Sequence, residues 1–148
     1  MKRTVFFLLL LPLFAAASAT RLSAQDAPAP LESFIVHVAR LWAAGDAGAL
    51  ADLAPADRRI MLDIGEVNGS VQGRHAAAAL RAMFSERETA AIRPTRATIA
   101  GGRPLRGFGE MTWTSRSRGM SDLRTVTLYI GTEWEGNGWR IRELRILR

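Results

Sequence analysis

No cysteine occurs in the sequence. That excludes disulfide bonds, thiol nucleophiles and a lipidated N-terminal cysteine. Histidine is nearly as scarce: His37 and His75 stand 38 residues apart. A protein metal site takes about four nitrogen, oxygen or sulfur ligands. No clustered spacing supplies them, so neither a metal nor another cofactor is expected. Tyrosine occurs once, at Tyr129, and lysine once, at Lys2. Nearly every cation is therefore an arginine, which stays charged and can grip a carboxylate or phosphate bidentately. No basic run is interleaved with aromatics, as a groove for single-stranded nucleic acid requires. No nucleic-acid partner is expected.

Long apolar runs are also missing. Val5 to Leu13 is the longest, short of the about 20 residues of a membrane span. It follows Lys2 and Arg3 and precedes small residues at Ala17-Ser18-Ala19 and Leu22-Ser23-Ala24. A basic start, an apolar run and small-residue cleavage sites make a secretory leader over residues 1–24. The expected location is periplasmic or extracellular, with no membrane contact once the leader is removed. The formal charge of +6 includes Lys2, Arg3 and Arg21, so removing the leader leaves +3. Residues 25–30 (QDAPAP) read as a flexible tether, and 31–148 as one domain.

The last quarter organises that domain. Leu123 to Leu147 reads as two long strands joined at Glu135-Gly136-Asn137-Gly138, where Gly and Asn suit a tight turn. Gly136-Asn137 and Asn137-Gly138 both fit the corner. Either puts Trp134, Trp139 and Ile141 on one face with Val126, Leu128 and Ile130. Leu144 and Ile146 then have the wrong parity, which a β-bulge near Arg142 or Glu143 would correct.

Earlier segments supply a cover for that face. Leu31, Phe34, Ile35, Val38, Leu41 and Trp42 form one apolar helical stripe. Gly45 ends this helix, and Asp46 caps a second through about Leu53. A strand carries Ile60, Leu62 and Ile64 on one face, with Met61 and Asp63 on the other. Glu66 to Val71 reads as a small hairpin with Asn68-Gly69 at its corner. A third helix, Arg74 to Phe84, shows the stripe Ala76, Ala79, Leu80, Met83 and Phe84. Ser85 to Thr89 reads as a charged loop. Ala91 to Ala100 reads as a strand that Pro94 places at an edge or bulge. Leu105 to Ser115 is the next strand, with Gly107 and Gly109 on the face of Met111 and Trp113, marking a bend or a close approach.

The order is α+β, with helices on one face of a strongly bent antiparallel sheet. Three pieces carry a resemblance: Trp42-Ala43-Ala44-Gly45-Asp46, Gly73-Arg74-His75-Ala76, and Trp139-Arg140-Ile141-Arg142-Glu143-Leu144-Arg145-Ile146. Over about residues 31 to 147 the chain resembles the NTF2-like (SnoaL-like, cystatin-type cone) superfamily. Within it the chain is similar to secreted bacterial proteins of the DUF4783 type.

The resemblance implies a conical pocket between sheet and helices. Phe34, Val38 and Trp42 from the first helix would line it. Met111, Trp113, Leu128, Trp134 and Trp139 would line it from the strands. The same residues serve equally as core. The resemblance also implies a general-base carboxylate near Asp63, as in ketosteroid-isomerase-like members. Such a base needs burial and a partner for the developing oxyanion, and helix 1 offers no Tyr. A solvated or Arg-paired strand-end Asp is the plainer reading. His37 and His75 read as structural. Tyr129 falls on the outer sheet face with Phe108, Glu110 and Thr112, a surface suited to a homodimer or to solvent. Two functions follow. The first is a secreted, non-enzymatic domain binding a small apolar or weakly anionic ligand or a protein partner. The second is an isomerase or dehydratase of hydrophobic molecules with Asp63 as base.

Overall fold

The computed structural model describes residues 29–148. The leader expected at 1–24 and all but Ala29 and Pro30 of the tether lie outside the described residues. Helix α1 spans Leu31–Ala44. Its stripe is buried as periodicity requires: Leu31, Ile35, Val38 and Trp42 are enclosed, while Phe34 and Leu41 are half-buried. Gly45 stops it with φ 66°, its N–H turned back to the carbonyls of Leu41 and Trp42. The Asp46 carboxylate then accepts the Ala49 N–H at 2.9 Å and caps α2, Ala47–Asp52.

Strands β1 (Arg59–Asp63) and β2 (Asn68–Gln72) precede α3 (Gly73–Glu86). Then come β3 (Arg87–Gly101), β4 (Arg106–Ser117), β5 (Leu123–Glu135) and β6 (Gly138–Leu147). The six strands form one sheet in the order β2-β1-β6-β5-β4-β3. Neighbours are antiparallel except β1 and β6, which pair parallel through Met61–Glu143, Leu62–Leu144 and Asp63–Arg145.

The terminal hairpin turns at Gly136-Asn137, with Glu135 paired to Gly138 and Gly136 at φ 54°. The bulge is at Arg142. Thr132 pairs with Ile141 and Gly131 with Glu143, leaving Arg142 without an opposite residue. Leu144 and Ile146 thereby return to the inner face: Leu144 is buried and Ile146 half-buried.

Helix α1 lies close against β4 at its two glycines. A Cβ on Gly107 would stand 2.6 Å from Leu31 Cδ2, and one on Gly109 would stand 2.7 Å from Ile35 Cγ1. The glycines mark a close approach. Strand β3 is an edge strand, and its register slips between Pro94 and Arg96. Proline is tolerated there because no partner needs its missing N–H.

Two sequence expectations are corrected. Asn68-Gly69 is not a corner: Asn68 pairs with Asp63 and Gly69 with Leu62, and residues 64–67 make the turn. Gly65 takes φ 110° there, and the Ile64 N–H donates to the Val67 carbonyl at 3.2 Å. Burial decides this register, because it places half-buried Val71 opposite Ile60 and gives β1 a second partner. Ser85 to Thr89 is not a loop either. Helix α3 runs to Glu86 and β3 starts at Arg87, with the Arg87 N–H still bonded to the Met83 carbonyl.

Candidate functional site

The interior is filled by the large residues of the inner face. Trp42 meets Phe84 and Trp113 edge-on, with ring centroids 5.1 and 5.3 Å apart. Val38, Trp42, Met111, Trp113 and Leu128 are completely enclosed, and Trp139 nearly so. Phe34 and Trp134 are half-buried against the same cluster. Trp134 and Trp139 pack edge-on at 5.4 Å, and the Trp139 indole N–H donates to the Ala29 carbonyl at 2.8 Å. The eight residues expected to line a pocket are thus core or packed on core, and none of them lines the open space at the rim.

That space is a cleft of about 610 Å³ at the rim, where α3, the β1–β2 turn and the ends of four strands meet. Its apolar surface comes from Ile64, Val67, Ala79, Met83, Val126 and Ile146. Its charges are Arg87, Arg124, Arg148, Glu66 and Glu86. The Arg87 guanidinium lies 5.2 Å from the Trp113 ring, a cation–π contact. The Trp113 N–H donates to Thr89 Oγ1 at 3.0 Å, which fixes the ring beneath it. Ser115 sits opposite Arg124 on the inner face, and its buried hydroxyl has no hydrogen-bond partner among the described residues.

Parity could have located the arginines. Arg124 shares the inner parity of Val126 and Leu128. Arg148 shares that of Ile146 once the bulge is counted. Arg87 was hidden by the loop expected at 85–89.

Asp63 ends β1 on the face of exposed Met61, opposite Ile60 and Leu62, and is half-buried. It does not line the cleft. Among the described residues no hydrogen bond or ion pair joins its carboxylate to another side chain. His37 and His75 are exposed, on α1 and at the start of α3. Tyr129 is on the outer face, stacked on Phe108 at 5.9 Å. Burial raises its phenol pKa, with the Glu143 charge adding to the shift.

A second charged group lies beside β6. The Arg142 guanidinium holds both oxygens of buried Glu133 at 3.2 Å and reaches Asp57 at 2.7 Å. The bulge that realigns the sheet also presents this arginine. Its hydrogen bond keeps the Asp57 carboxyl below the usual aspartate range. Every partner in the group is satisfied, which makes it a clamp on the 53–58 segment.

No family model and no curated protein sequence matches the chain. Solved structures do. A DUF4783 family protein from Bacteroides fragilis superposes with a TM-score of 0.59 at 19% identity, over 75% of this chain and 94% of that one. Its counterpart from Bacteroides ovatus gives 0.57 at 16%, over 74% and 89%. A protein of ketosteroid isomerase-like fold from Catenulispora acidiphila, solved in complex with trimethylamine, gives 0.61 at 15%, over 80% and 87%. The fold is NTF2-like. In this NTF2-like fold the large inner-face residues are enclosed, and a cleft is open at the rim between α3 and the strand ends.

Proposed function

We propose that this chain is a secreted, non-enzymatic NTF2-like domain that binds a small apolar ligand in its rim cleft. The position of the open volume carries this reading. The enclosed tryptophans fill the interior where a buried reaction centre would sit. The rim cleft has the size of a small-molecule site and an apolar wall beside its charged residues. Asp63, the carboxylate an isomerase or dehydratase would use, lies off that cleft.

Titration with the neutral dye Nile red tests it. Fluorescence should rise saturably for the protein and not for Ala82→Trp, which puts an indole into the cleft from an exposed helical position. A rise of equal size in both would place binding elsewhere and overturn the reading. Turnover of a hydrophobic substrate that disappears in Asp63→Asn would instead establish the enzyme. Secretion is checked separately: the mature chain should begin after Ala19 or Ala24. Exported material that still starts at Met1 would remove the leader. Pairing through the outer face around Phe108 and Tyr129 belongs to the same proposal, and a monomer in sedimentation at high concentration would eliminate it.

A further inference from the structure

We infer that the rim cleft selects an amphipathic monoanion: an aliphatic carboxylate whose head is held by Arg87, Arg124 and Arg148 while its chain lies on the apolar wall. This rests on the binding reading above and adds the chemical class of the ligand.

The first support is charge. Three arginines and two glutamates line the cleft, a side-chain balance of plus one. Among the described residues none of the five lies within 4.0 Å of an opposite charge, unlike Arg142 or Arg116, which hold carboxylates at 2.7 and 3.0 Å. The three guanidiniums thus keep their donors available beside an apolar surface. Guanidinium forks match a carboxylate geometrically, and pairing there strengthens as water is displaced.

The second is preorganisation. Arg87 is seated over the ring of Trp113, which is itself enclosed and hydrogen-bonded. A terminal nitrogen of Arg148 lies 3.8 Å from the place a Gly65 Cβ would occupy, so this guanidinium rests against the β1–β2 turn. Ordering fewer rotamers on binding leaves more of the interaction free energy as affinity.

Glu66 and Glu86 set the upper limit on charge. Against these five side chains a single negative charge balances, whereas a dianionic phosphate monoester leaves an excess negative charge.

Calorimetric titration of the purified protein with four probes tests this. Decanoate should bind at least about tenfold more tightly than 1-decanol, the gain expected from charge-assisted hydrogen bonds. Acetate should show no saturable binding, and decyl phosphate should bind more weakly than decanoate. Arg124→Gln and Arg148→Gln, both at exposed positions, should each weaken decanoate about tenfold and leave 1-decanol unchanged. Melting curves confirm that the variants are folded. Equal affinity for decanoate and 1-decanol, insensitive to the arginine changes, would overturn the anion inference and leave the binding reading intact. Decyl phosphate matching decanoate would overturn the monoanion assignment. No binding of either ten-carbon probe would overturn both readings together.

Discussion

Gly109 and Trp139 show how single residues set the spacing of this molecule. Adding one methyl at Gly109 forces Ile35 and α1 away from β4, since Ile35 Cγ1 lies 2.7 Å from the new carbon. Gly109→Ala should cost about 1–3 kcal/mol in a urea melt. Gly138→Ala, with nothing within 4 Å of the added carbon, should stay within about 0.5 kcal/mol of the parent. Trp139→Ala should cost about 3–5 kcal/mol, from lost transfer energy and the cavity left behind. Arg145→Ala, on an exposed position paired only with its neighbour Glu143, should cost less than about 1 kcal/mol. If Trp139→Ala and Arg145→Ala melt alike, the assignment of inner and outer faces is wrong. Asp57 makes a prediction about pH. Its folded pKa is depressed, chiefly by the Arg142 hydrogen bond, so its contribution is present above its unfolded pKa of about 4 and is lost as pH falls through the folded value. Asp57→Asn should flatten the acid limb of stability against pH, and added salt should shrink the difference because the pair is exposed. An unchanged limb would show that the pair contributes nothing.

At the scale of elements, what could be read in advance was what one strand or helix states about itself. The α1 stripe, the Gly45 stop, the Asp46 cap and the edge position of β3 are local consequences of residue type and period. The Arg142 bulge was legible because the apolar parity of β6 breaks between Ile141 and Leu144, and only an extra residue repairs it. Partnerships between distant segments were not legible. Nothing in Arg59–Asp63 announces Glu143 to Arg145 as a parallel neighbour, and that long-range pairing outweighed the turn preference of Asn68-Gly69. The cleft stayed hidden for the same reason, since its arginines come from β3, β5 and the residue after β6, which only the sheet brings together. The bulge gives a direct test. Deleting Arg142 puts either Ile141 or Leu144 on the wrong face and should abolish cooperative unfolding. Arg142→Gln keeps the residue count and should still fold, losing only the clamp to Glu133 and Asp57. A deletion variant that melts like the parent would mean that β6 does not need the extra residue.

For the whole molecule, the two ends of the fold depend on each other. The Trp139 indole is bonded to Ala29, 110 residues earlier in the chain. Strand β1 gains its second neighbour only when β6 is in place. This arrangement has a consequence for biosynthesis. As the chain emerges, α1 can meet β3 and β4, but one edge of β1 and the part of the core closed by Trp139, Ile141 and Leu144 remain open until the last ten residues of sheet are made. Early segments cannot settle one after another, because contacts of such long sequence separation must close before the core gains its stability. A nascent chain halted before Gly138 should be digested by a protease that spares the finished protein, however long the arrest lasts. Until β6 is made, the arrested chain is expected to stay open both to the protease and to threading through a narrow channel.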